Sequence, residues 1–146
     1  MLFSRWIFRL LAVTAIFAIS WVGVCAWRGV TNSLEAEKTL LVYTATLDIL
    51  TVYLKHNHGK WPTSWDDMTS VSPSSQIPAY PWPEDISEFR KRVHINFELT
   101  GAQVAAMDPE HFSAVEQIEP NYGPHEAGIR QVLNVVRRAH PEIGGW

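Results

Sequence analysis

Apolar side chains crowd the first 27 positions of the chain and then settle into periodic patterns. From Leu10 to Trp27 no residue carries a formal charge, and Trp6-Ile7-Phe8 carry the apolar character past Arg9. At roughly 1.5 Å per residue, these eighteen residues make a helix of about 27 Å, close to the ~30 Å hydrocarbon core of a bilayer. Arg9 stands near one end, where its stem can lie along apolar surface while the guanidinium reaches the head groups. Trp6, Trp21 and Trp27 lie towards the two ends, where indoles favour the membrane interface. The pattern predicts a transmembrane anchor over residues 6–28, behind a cytoplasmic stretch at 1–5 and ahead of a juxtamembrane segment at 29–32. A cleavable signal peptide is the competing reading: Arg5 and Arg9 precede the apolar run, and Val24-Cys25-Ala26 offers small residues at peptidase spacing. The run exceeds the ~7–15 residues usual for such a signal, which favours retention. Bulky Val24 weighs against a lipoprotein at Cys25, and the length of the run weighs against a soluble core helix.

Beyond the anchor, the periods change. Thr31-Asn32-Ser33 supplies capping side chains, with Glu35 three residues after Asn32, as in a capping box. A helix from about Ser33 to Asn57 follows. Leu40, Tyr43, Leu47, Leu50 and Leu54 recur at threes and fours along one face. Leu41, Val42, Ile49, Val52 and Tyr53 widen that face almost all the way round, so the domain is expected to cover this helix on more than one side. Continuity with the anchor is open, since Gly29, Val30 and Thr31 weaken the join without forbidding it.

Gly59 closes the helix and Pro62 blocks a restart. In Trp61-Pro62-Thr63-Ser64-Trp65-Asp66-Asp67-Met68, Thr63 or Ser64 can cap a short turn over Trp65 to Met68. Trp61 and Trp65 are then either anchors folded onto the long helix or an exposed ligand platform. Residues 69–88 read as a stiff connector, because Pro73, Pro78, Pro81 and Pro83 exclude regular helix. Pro81-Trp82-Pro83 is either a packed spacer or a ligand for a partner's aromatic groove.

Arg92 to Thr100 alternates strictly, with Val93, Ile95, Phe97 and Leu99 on one side, and predicts a strand. Thr100 and Gln103 fit a capping box for a short helix through about Met107. Phe112 to Ile118 is a second strand, Asn121 to Pro124 a loop, and His125 to Ala139 a helix with Ile129, Val132, Leu133, Val136 and Ala139 on one face. Arg137, Arg138 and His140 stand where positive charge meets the helix dipole's negative end. The predicted fold class is α+β: an N-terminal transmembrane helix, then a long amphipathic helix packed on a small antiparallel sheet, then a C-terminal helix. Residues 33–146 form its one domain.

Charge sharpens the picture. Every acidic residue follows Asn32, and nine of the twelve basic residues do too, so the domain carries a net −6. An acidic surface argues against nucleic acid as a partner. Arg5 and Arg9 before the apolar run, against Arg28 and Lys38 after it, favour a cytoplasmic N-terminus. The C-terminal domain is then expected on the periplasmic or extracellular face of the cell (inner) membrane. The cleaved alternative delivers it to the same side. Cys25 is the sole cysteine and lies in the apolar run, so the domain must hold itself together through its core.

Chemistry is sparse. His56 and His58 flank the end of the long helix, and four more histidines are scattered, without the convergent spacing of a metal site. Asp66-Asp67 lacks the oxygen spacing of a calcium loop. No G-x-S-x-G elbow, phosphate loop or dinucleotide glycine pattern occurs. No catalytic, cofactor or metal residue is assigned. The interaction or structural residues singled out are those of the turn: Gly59, Trp61, Pro62, Trp65, Asp66 and Asp67.

The run from Leu47 to Met68 (LDILTVYLKHNHGKWPTSWDDM), with the apolar segment before it, resembles type IV pilins and type II secretion pseudopilins. In that family a membrane helix runs into an amphipathic helix ending in Tyr and Asn-x-Gly, followed by an aromatic-Pro turn and an Asp-Leu pair. The resemblance covers residues 6–68. It implies a pilin-like extracytoplasmic domain with a small antiparallel sheet. The prepilin peptidase pattern, Gly followed by Phe-Thr-Leu-Ile-Glu, is absent, and no acidic residue precedes Glu35. The expected function is that of a non-catalytic, single-pass membrane protein. It would contact the bilayer through Trp6 to Trp27 and work by protein–protein contact or self-association in an envelope or secretion assembly. The alternative is a membrane-tethered sensor for a small ligand or metal, suggested by the histidines and the Trp61/Trp65 pair. An enzyme ranks third.

Overall fold

A computed structural model describes residues 2–69, 86–118, 123 and 125–143; the side chains of 2–13, 15, 16 and 18 lie outside that description. The elements in order are α1 (Leu2–His56), α2 (Trp65–Thr69), α3 (Ser87–Arg92), β1 (Val93–Ile95), α4 (Gly101–Ala105), a single 3₁₀ turn (Pro109–His111), β2 (Val115–Gln117) and α5 (Glu126–Ala139). The chain divides into two compact units, Met1–Glu35 and Ala36–Trp146.

Among the described residues of the first unit only helix is present. No helix begins at Ser33: Thr31 lies inside α1, where its hydroxyl donates to the carbonyls of Trp27 (3.1 Å) and Arg28 (3.0 Å) instead of capping a terminus. Threonine hydroxyls satisfied by the preceding turn are compatible with helix, which is why this join does not break. Phe17, Ile19, Trp21, Val22, Val24, Trp27, Val30 and Leu34 are all exposed. Among the described residues no helix is long and apolar enough to cross a membrane. The expected anchor, residues 6–28, falls in good part on side chains outside the described set.

The second unit is α+β. β1 and β2 pair antiparallel, with Val93 opposite Gln117, His94 opposite Glu116 and Ile95 opposite Val115. The core gathers Tyr43, Leu47, Leu50 and Leu54 of α1 with Val93 and Ile95, Val115, Val104, and Ile129, Val132, Leu133 and Val136 of α5. As the periodicity predicted, α1 is wrapped: Ala45 and Leu47, two positions apart and so on nearly opposite sides, are both buried. Thr46 and Thr51 are buried among them, donating to the carbonyls of Val42 and Leu47, each at 2.8 Å, so their hydroxyls cost little inside.

Both expected strands are shorter than the sequence suggested. The strand expected from Arg92 to Thr100 stops at Ile95, because the Asn96 side chain accepts from the Glu98 amide (3.1 Å) and turns the chain. Arg92 itself ends α3, a helix that sequence reasoning missed. Lys91 and Arg92 there reach back to Glu88 at 2.7 and 3.8 Å. The second strand is trimmed to Val115–Gln117. The Thr100–Gln103 capping box is present with both of its bonds, although α4 ends at Ala105 rather than Met107. Arg137 of α5 receives that end, its Nε and Nη2 donating to the carbonyls of Ala105 (3.0 Å) and Met107 (2.7 Å). α5 matches its prediction save that Ala139 is exposed. The proline-rich stretch over 70–85, with Pro81-Trp82-Pro83, and Pro124 lie outside the described residues.

Tyr43 ties α1 to the sheet, its hydroxyl donating to the Val115 carbonyl at 3.3 Å. Burial pushes this phenol up to about 12, and the nearby Glu116 carboxylate adds to the shift. An unfolded tyrosine ionises near pH ~10, so the chain loses the proton more readily when unfolded. The contribution is intact below pH ~10 and declines as pH rises towards about 12. Tyr53, raised mainly by burial, acts in the same direction. Tyr43→Phe should therefore flatten most of the alkaline fall in the denaturation midpoint, and an unchanged alkaline slope would count against this assignment.

Candidate functional site

Of the six residues singled out from sequence, Gly59, Trp61 and Pro62 lie in the segment between α1 and α2, and Trp65, Asp66 and Asp67 form the first turn of α2. α1 ends with the Gly59 amide donating to the Leu54 carbonyl at 2.8 Å, a six-to-one closure of the kind that finishes many helices. His58 occupies the left-handed position inside that closure, with φ of 52°, and Gly59 follows at 77°. The sequence assigned the left-handed turn to Gly59 alone. An imidazole one residue earlier shares it.

Trp61 and Trp65 are anchors rather than an exposed platform. Trp61 is only 3 % exposed, and its Nε1 donates to the Asn96 carbonyl at 2.9 Å, joining the turn to the end of β1. Trp65 is buried and meets Phe97 edge-on, with ring centroids 6.0 Å apart. Phe97 thus leaves the expected strand to cover a tryptophan. Pro62 is buried too.

The two aspartates divide their work. Asp67 accepts from both the amide (2.8 Å) and the hydroxyl (2.7 Å) of Thr63, while its own amide donates to the Ser64 hydroxyl at 3.2 Å. Ser64 thus caps α2, one of the two residues the sequence offered for that role. The Asp67 carboxylate adds a return bond to Thr63 that the sequence reading did not assign. The bonds from the Thr63 side chain and then its amide hold the Asp67 carboxyl below the usual carboxylate range. The stabilisation from a depressed carboxylate is present above its unfolded pKa and fades as pH falls through the lower folded value. Asp66 is exposed and meets Arg90 of α3 at 3.2 Å, a surface pair of small worth.

Among the described residues no group of three or more His, Cys, Asp or Glu side chains is placed to hold a metal ion. Beside the turn, however, lies an open cleft of about 370 Å³ lined by His58, Lys60, Trp61, Leu99 and His140, among others. His140, at the end of α5, was read from sequence only as a charge at a helix terminus. Nothing in its spacing announces that α5 ends against the Gly59 turn. Comparison with known proteins identifies no relative: no family model, no curated protein and no solved structure matches this chain.

Proposed function

We propose that this chain is a non-catalytic, single-pass membrane protein with a pilin-like extracytoplasmic domain, acting through protein–protein contacts in an envelope or secretion assembly. The observation that carries the reading is the run of exposed apolar side chains in the first unit. Phe17, Ile19, Trp21, Val22, Val24, Trp27, Val30 and Leu34 are exposed, and at about 100° per residue they fall on every side of the helix. A docking groove would cover one stripe; a helix apolar all round belongs in lipid or in the core of a large protein. The uncharged residues from Leu10 to Trp27 and the arginines before them support the first of these and a cytoplasmic N-terminus.

The pilin-like reading of the domain rests on the quoted run from Leu47 to Met68. It is supported by the order long helix, Gly-x-Trp-Pro turn and small antiparallel sheet. The turn residues spend their polar groups on the fold itself, which suits a scaffold presenting a surface. Crosslinking in intact membranes tests this function. Capture of a defined partner or of a second copy is expected, and a chain that forms no crosslinked species at all would refute it.

A further inference from the structure

The cleft beside the turn has a composition that the scaffold role leaves unused. Its apolar side comprises the buried Trp61 and the half-buried Leu99, while His58, Lys60 and His140 are the ionisable residues around it. None of the described lining residues is acidic. Two carboxylates that bond to lining residues are engaged. Glu142 meets His140 on its Nδ1 at 3.1 Å, and Asp67 is held by Thr63. His140 keeps its place because Gly101 has no side chain: a Cβ there would lie 2.7 Å from the His140 Nε2.

His58 adds an independent observation. It is the one non-glycine residue with positive φ among those described. A left-handed backbone costs an ordinary residue roughly 1–2 kcal/mol, which glycine would avoid. Strain of this kind persists only where the surrounding structure holds it, and it clusters at functional sites. Here the strained residue projects its imidazole at a cleft of about 370 Å³ that two other basic groups share. That size falls within the ~300–1,000 Å³ of small-molecule sites.

We propose that this cleft binds a small organic anion, a carboxylate carrying an apolar ring or chain. The ring lies against Leu99, beside the 3 % of Trp61 that is left exposed, and the carboxylate meets Lys60 and His58. Such a site goes beyond the scaffold role and does not depend on it. Calorimetry on the full-length protein in detergent micelles tests it, with benzoate as the probe and benzyl alcohol and inorganic phosphate as comparisons. Benzoate should bind saturably, and both comparisons should bind at least about tenfold more weakly, because each lacks one half of the match. Lys60→Gln and His58→Gly should each weaken benzoate by about tenfold. His58→Gly should at the same time raise the denaturation midpoint, since it relieves the strained backbone. Absence of saturable benzoate binding overturns the proposal. So does phosphate or benzyl alcohol binding as tightly as benzoate, or a more stable His58→Gly protein that binds benzoate unchanged.

Discussion

Replacing Trp61 by alanine is expected to lower the unfolding free energy by about 3–5 kcal/mol, the usual cost of removing a large buried aromatic ring. The residue is almost wholly enclosed, and collapse around the gap is limited because its neighbours are pinned. Asn96, whose carbonyl receives the indole N–H, also donates its amide to the Ala114 carbonyl at 3.0 Å. The loss therefore reaches the paired ends of the sheet and not only the turn. Trp61→Phe separates the two contributions. It keeps most of the apolar surface but leaves the Asn96 carbonyl without its donor, at a cost of about 1–3 kcal/mol. Denaturant unfolding followed by far-ultraviolet circular dichroism reads both variants, since fluorescence changes with the tryptophan itself. A Trp61→Ala protein as stable as the parent would mean that the turn does not anchor the domain.

Gly59→Ala should be nearly as damaging, for a different reason. At a φ of 77° an alanine is strained even in open space, which costs roughly 1–2 kcal/mol. Here the space is closed as well: a Cβ would lie 2.2 Å from the Ala139 Cβ and 3.7 Å from its Cα. Either the turn or the end of α5 must move, adding about 1–3 kcal/mol of overpacking. Adding Ala139→Gly to Gly59→Ala should restore the overpacking part and leave the backbone part. If the second substitution recovers nothing, the clash is not the cause. The close approach also explains why His140, one residue past α5, reaches the cleft beside this turn.

Where the sequence was legible, the signal was strong and local. The threes and fours of Leu40 to Leu54, the Thr100–Gln103 box and the apolar face of α5 each needed no distant partner to be read. The buried threonines of α1 looked polar in the pattern, yet their hydroxyls bond one turn back and vanish from the accounting. α3 was hidden by the prolines before it and by the alternation of Arg92 to Thr100, which is compatible with a strand. What stopped that strand was a side-chain bond from Asn96, a two-residue contact invisible to periodicity. In the candidate site, a cap for α2 from Thr63 or Ser64 was legible from spacing, while the part played by the Asp67 carboxylate was not. The burial of both tryptophans was one of two open readings, settled by Phe97 and Asn96 arriving from beyond the connector. The cleft was not legible, because His58, Leu99 and His140 are brought together only by the fold.

The strained imidazole and the wrapped helix belong to a domain whose location depends on the segment before it. The exposed ring of apolar side chains between Phe17 and Leu34 has a definite physical consequence. Removing apolar surface from water is worth roughly 25 cal/mol per Å². A helix apolar on every side gains this fully only when it is covered all round, by lipid as proposed here or by other protein. Extraction of membranes with alkaline carbonate tests this most directly, because it strips peripheral proteins and leaves integral ones in place. The account predicts that the full-length chain stays with the lipid pellet. Recovery of the intact polypeptide in the carbonate supernatant would contradict it.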